Sequence, residues 1–343
     1  MADEKIRIRL RLQLVSYAHI ASGEWLDPTQ YTISNNRLYV FNQAGLITYL
    51  NRTHPAELHE VVKQGYHDIA RFMSRYFDPA ERDTWVQSHP VDEAEQKKYL
   101  ADLENPAAQM LVSVFIRNSL TGAPYIPGSS LKGAIRTALV YDRYKSSSDL
   151  PRRRDGAIDS LLLEPHLFRY FNQNGRADVT LDPFKHLKVS DAVFRADNLR
   201  LRVVENLKAT ARTPQNSRHK DGELNYRCQV LVKGVETEVQ SLEFTTGKLG
   251  LNSVDELIQK NNRYFSDRLL LDQKYFYARN GGKEIFTALQ GIVNALKPRQ
   301  FLIRMGRGVG SIPKSLDKPL NEPITRNLVG GLPMGICRCT VED

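Results

Sequence analysis

Cysteine is scarce in this 343-residue chain: Cys228, Cys337 and Cys339 are the three. So odd and sparse a set argues against a disulfide framework and fits a reducing compartment. Cys337 and Cys339 flank a single arginine with no second pair, so no metal site is expected there. Long apolar runs are also missing. No stretch approaches the roughly 18 apolar residues of a membrane span, and the opening MADEKIRIRL lacks the apolar core of a secretory leader. A soluble cytoplasmic protein without membrane contact is the expectation. Acidic residues fall short of basic ones, 39 against 48, a formal charge of +9. That excess favours a polyanionic partner, nucleic acid first.

Catalytic constellations are poor as well. The histidines are scattered, and Asp182 and Asp191 flank a strand without the spacing of a two-metal site. Lys132 precedes Gly133 where a nucleotide P-loop needs the order reversed. The run MGRGVGS is followed by Pro313 and not by a helix, so it is no dinucleotide fingerprint. His19, before a glycine loop, is the one candidate base for metal-free RNA cleavage; packing or hydrogen bonding is the plainer reading. No cofactor, metal or catalytic residue is assigned.

What is present is strand and helix patterning. Residues 6–15 alternate, with Ile6, Ile8, Leu10, Leu12 and Leu14 on one face and Arg7, Arg9 and Arg11 on the other. This is a half-buried strand with a basic outer face. YTISNNRLYVF reads as a hairpin turning at Asn35-Asn36, and residues 56–76 as a helix. Residues 78–107 carry eight acidic and three basic side chains and read as part of a helical insertion, about 51–108, facing away from nucleic acid. Strands are expected at 110–117, 187–194, 199–204 and 300–304, and helices at 254–277 and 283–296. Residues 206–227 are polar and basic, an arm or hairpin excursion. The order suits an α+β chain of two ferredoxin-like or RRM-like modules with antiparallel sheets, 1–200 and 201–343.

The segment PYIPGSSLKGAIRTALVYDRY, residues 124–144, carries the chemistry. Ser129 and Ser130 are N-cap candidates, and Gly128 and Gly133 would let a backbone approach closely. The unpaired N–H groups of a helix start suit a phosphate. Leu131, Ile135, Ala138 and Leu139 form the apolar stripe; Lys132, Arg136 and Arg143 share another face, either a phosphate track or a solvated side. Near the C-terminus Gly306, Gly308 and Gly310 surround Arg307, either a loop approaching RNA or a tight turn. Basic residues concentrate at 132–154, at 200–220 (Lys208, Arg212, Arg218 and Lys220 among them) and at 297–314, where Arg304 and Arg307 lie. Beside loops, such segments make a plausible phosphate track.

YIPGSSLKGAIRTAL resembles the helix-opening motif of the RAMP superfamily of CRISPR effector proteins. SYAHIASGEW is similar to that superfamily's first strand and loop, and FLIRMGRGVGSIPKSL to its C-terminal glycine-rich loop, all in the expected order. Tyr17-Ala18, Ala21, Val309 and Ile312-Pro313 depart from the usual pattern. The length and the Lys-Ser ending resemble the RAMP subunit that caps the crRNA 3′ end in type III-A (Csm) complexes. The resemblance implies two packed RRM-like modules and a thumb-like hairpin, for which 206–227 is the candidate. It implies RNA contacts by His19, Gly128, Ser129, Ser130, Lys132, Gly133, Arg136, Lys208, Arg212, Arg218, Lys220, Arg304, Gly306, Arg307, Gly308 and Gly310. Implied partners are the crRNA 3′ region, the backbone RAMP subunit, the small helical subunit, target RNA indirectly, and host ribonucleases in 3′ maturation. A repeat-cleaving endoribonuclease of the superfamily and the capping subunit of another type III complex are the alternatives.

Overall fold

The computed structural model describes residues 4–208, 226–278, 282–309, 316 and 325–342. The chain is a mixed α/β fold with mainly antiparallel sheets. At its centre lies a seven-stranded sheet in the order Gln300–Arg304, Ile336–Glu342, Lys5–Leu14, Glu236–Thr245, Ala192–Val193 and Tyr125–Ile126, with Lys188–Val189 also on Glu236–Thr245. Lys5–Leu14 alternates as its sequence requires: Leu10, Leu12 and Leu14 are fully buried while Arg7 and Arg11 point outward. Two arginines of the basic outer face meet acids on the neighbouring strands. Arg7 meets Glu243 at 3.4 Å and Arg11 meets Glu342 at 2.5 Å, both across strands. This sheet draws on both ends of the chain, so its hydrogen bonds cross the division expected at residue 200.

The helix Gly128–Ser146 covers the sheet. Leu131, Ile135 and Leu139 pack with Leu10, Leu12, Phe301, Ile303 and Val341. Ala138 and Tyr141 turn instead to Tyr264 of the helix Val254–Asp272. Cys337 and Cys339, two apart in one strand, share the core-facing side. Burial pushes both thiols up, so they are apolar packing groups. The segment read as one strand at 187–194 is broken into two short ones around Ser190 and Asp191. There the Asp191 carboxylate accepts the Gly128 N–H at 2.7 Å.

A four-stranded sheet, Leu199–Val203, Arg227–Leu231, Val112–Phe115 and Ala21–Leu26, includes one short parallel pairing. The hairpin Tyr31–Ser34 and Arg37–Phe41 turns at Asn35 and Asn36, both with positive φ, as a type I′ turn demands. Its second strand is paired by Trp85–Pro90, which corrects the expectation of a purely helical insertion. The exposed edge of Arg37–Phe41 needs a partner, and Trp85 packs on Tyr39 with ring centres 5.1 Å apart. Around this sheet lie Gln43–Thr53, which the sequence reading missed, and Glu93–Leu103. The single helix expected over 56–76 is two, Pro55–Val61 and Tyr66–Tyr76, because Gly65 is extended at the second N-cap. Among the described residues no helix is long and apolar enough to cross a membrane.

Candidate nucleic-acid interface

Three segments far apart in sequence meet at one cavity of about 370 Å³. Ile20 and Ala21 come from the first loop, Ser130, Gly133 and Thr137 from the helix Gly128–Ser146, and Arg304 to Arg307 from the end of the strand Gln300–Arg304. Backbone hydrogen bonds hold the loops together. Arg307 N–H donates to the His19 carbonyl at 2.9 Å, Met305 N–H to Gly335 at 2.9 Å, and Gly335 N–H to Tyr17 at 2.8 Å. Gly306 has φ +98°, and a Cβ there would stand 2.6 Å from the His19 oxygen. Glycine at 306 is therefore required by the protein's own first loop.

The helix start differs from the sequence reading. Pro127, not Ser129 or Ser130, holds the N-cap position and accepts from Ser130 N–H at 2.9 Å. Ser129 is exposed in the first turn, while Ser130 borders the cavity. Gly128 admits a protein backbone, since a Cβ would lie 2.0 Å from the Val189 oxygen. Gly133 is the opposite case: exposed, with nothing within 4 Å of an added Cβ, and facing the cavity.

Several candidate contacts are engaged by the protein itself. Arg136 meets Glu164 at 2.5 Å and Asp182 at 2.9 Å, with its guanidinium 4.5 Å from the Phe184 ring centre. Arg143 donates to the Leu167 carbonyl at 2.8 Å and covers Phe168. Arg136 and Arg143 are thus half-buried and held by the protein's own groups. Lys132 is half-buried beside them, its ammonium pushed below the usual range by burial and by Arg136. Arg304 is a wall residue: its side chain is 8% exposed and pairs with Asp272 at 3.5 Å. Gly308, with φ +79°, packs beside Asn327 and Met334. The side chain of Lys208, together with Arg212, Arg218, Lys220 and Gly310 and most of the expected arm, lies outside the described residues.

His19 is fully buried. Its Nδ1–H donates to the Gln229 carbonyl at 2.6 Å, which leaves Nε2 to accept from the Ser113 hydroxyl at 3.0 Å. Both ring nitrogens are committed inside the protein, which corrects the expectation that this side chain meets RNA. Its role is positional, through the carbonyl that holds Arg307. Burial, and secondarily the Arg307 charge, lower its pKa from 6.5 to about 4. The unfolded chain therefore binds this proton first on acidification. Stability from neutral His19 is present above pH 6.5 and is lost as the pH falls toward 4, on the order of 3 kcal/mol in all. Urea midpoints taken between pH 7 and 4 should fall in the wild-type chain, and the fall should be shallower in His19→Gln. An equal slope in both would contradict this assignment.

The helix Val254–Asp272 supplies a wall that sequence reading missed, with Asn261, Tyr264, Arg268 and Asp272 facing the cavity. Their spacing of three and four is a polar stripe on a buried helix face, and that was the available signal. Asn262 docks this helix on the edge strand: its Nδ2 donates to the Gln300 carbonyl at 2.9 Å, and its Oδ1 accepts from Leu302 N–H at 3.0 Å. Asp272 also pairs with Arg326, whose guanidinium lies over Phe276. Among the described lining residues, the guanidiniums of Arg268, Arg304 and Arg307 face a single carboxylate, Asp272.

Sequence comparison matches residues 107–312 to the RAMP superfamily. No curated protein matches the chain. Over 98% of its length the fold is similar to the whole of a chain in the cryo-EM structure of a Csm–crRNA–target RNA ternary complex of a type III-A CRISPR-Cas system, with a TM-score of 0.68 and 18% identity. It is also similar to the crystal structure of T. onnurineus Csm5, with a TM-score of 0.62 and 19% identity, over 95% of this chain and 99% of that one. The glycine-rich loop, the helix mouth and the family match agree: the chain belongs to the RAMP superfamily.

Proposed function

We propose that this chain is a non-catalytic, crRNA-binding subunit of a type III-A CRISPR-Cas effector complex that caps the crRNA 3′ end and supports its maturation. The observation that carries the reading is the convergence of Ile20 and Ala21, of Ser130 and Gly133, and of Arg304 to Arg307, from the three motif segments, on one cavity lined by several guanidinium groups. Fold likeness along nearly the full length of a Csm-complex chain and of Csm5 supports the choice of complex. A non-catalytic role fits His19, since a general base must reach the proton it takes and both of its nitrogens are occupied. In this reading the backbone RAMP subunit and the small helical subunit are neighbours, target RNA is met through the crRNA, and host ribonucleases trim what the cap leaves uncovered.

The test is a tagged pull-down from the native host, with sequencing of bound RNA and mass spectrometry of bound proteins. Short RNAs with a repeat-derived tag, together with a backbone RAMP subunit, are expected. A chain recovered alone and without RNA would refute the reading. Gly133→Ala adds a sharper expectation. Alanine in this open helix position should raise stability by about 0.5–1 kcal/mol. If a phosphate approaches there, the same methyl group should weaken crRNA binding in a filter assay. Stability and affinity should move in opposite directions, which a merely structural glycine would not produce.

A further inference from the structure

Beside the cavity mouth, around Arg307, lies an aromatic cluster that the motif comparison did not single out. Trp25, in the strand Ala21–Leu26, is 37% exposed, although so large an apolar side chain is usually mostly covered. Tyr226 meets it edge to face, with ring centres 5.9 Å apart. The exposed guanidinium of Arg307 lies 4.9 Å from the Trp25 ring centre and 5.9 Å from that of Tyr226. The arginine is anchored at its backbone too, through its N–H on the His19 carbonyl.

We propose that Trp25, Tyr226 and Arg307 form a stacking clamp for one unpaired base of the bound RNA strand. This rests on the RNA-binding reading above and deepens it. Aromatic faces and planar guanidinium groups are the surfaces on which splayed bases stack, and every base offers a π-face whatever its sequence. A guanidinium held over two rings is pre-organised, so little side-chain entropy remains to be lost when RNA binds. Arg307 also lines the cavity. A strand whose phosphates occupy the cavity mouth therefore has a base within reach of Trp25. The clamp recognises single-stranded nucleic acid without reading its sequence, which suits a subunit that must accept any spacer.

The cluster carries its own reporter. Trp25 and Trp85 are the two tryptophans of the chain, and Trp85 is half-buried, with Arg82 covering its ring. In full-length Trp85→Phe, tryptophan emission comes from Trp25 alone. A short single-stranded RNA should quench that emission, while a base-free ribose-phosphate strand of equal length should not. Trp25→Ala should weaken binding of the RNA about tenfold, Trp25→Phe should restore most of it, and neither should change binding of the base-free strand. Arg307→Lys, which keeps the charge and loses the plane, should fall near Trp25→Ala. Unchanged emission on an RNA that the wild-type chain binds would overturn the clamp, as would full affinity in Trp25→Ala. Wild-type chain that binds no RNA at all would overturn the RNA-binding reading and the clamp together.

Discussion

Asp272→Ala is expected to lower the free energy of unfolding by about 3–5 kcal/mol. The carboxylate side chain is 1% exposed and lies between Arg304 and Arg326, which are 8% and 2% exposed. Arginine does not shed its proton to escape such a site, even though burial pushes the Arg304 guanidinium below its ordinary range. Removing the acid takes away the buried carboxylate that both guanidiniums meet. Asp272→Asn should lose nearly as much, because it keeps the shape and removes the charge. Urea unfolding followed by circular dichroism measures both, provided the slope is unchanged between variants. A loss below about 1 kcal/mol, the range of a surface pair, would show that the carboxylate does not neutralise the wall.

Gly335→Ala is expected to be comparably damaging, and at a position no motif marks. Gly335 has φ +83°, and its added Cβ would stand 1.9 Å from the Met305 carbonyl oxygen and 2.7 Å from Val309. The left-handed backbone costs a non-glycine residue about 1–2 kcal/mol, and overpacking adds about 1–3 kcal/mol. The same residue bonds Tyr17 through its N–H and Met305 through its carbonyl. Relief of the clash therefore moves the residues before Gly306 and Arg307. Thermal unfolding should drop by several degrees or more, and RNA affinity of the chain that remains folded should fall with it. Retention of both would mean the loop does not depend on this contact.

Much of the fold was legible where a strong local pattern met a simple burial requirement. The alternation before residue 15 and the Asn-Asn turn emerge as read, and so do the strand Gln300–Arg304 and the apolar stripe of Gly128–Ser146. The extent of the insertion was not legible. Trp85–Pro90 becomes a strand because the hairpin edge needs a partner more than forty residues away, which no local window contains. The site divides in the same way. Segments rich in glycine and small residues pointed to the cavity, because such residues mark places where backbones come close. Charge was the weaker guide: Arg136 and Arg304 look free in sequence, yet carboxylates at Glu164, Asp182 and Asp272 engage them only once the chain is folded. Trp25 ends the first-loop segment and Tyr226 falls near the end of the expected arm, but neither was singled out as a site residue, and only tertiary contact brings them to Arg307.

The most direct test of the central claim is photo-crosslinking of the full-length chain to crRNA, with the crosslinked peptides identified by mass spectrometry. The account predicts crosslinks at Trp25 and at residues 304–308, with further ones at 130–137, all bordering the same cavity mouth. Crosslinks confined to the basic segment at 143–154, with none in those three stretches, would contradict it.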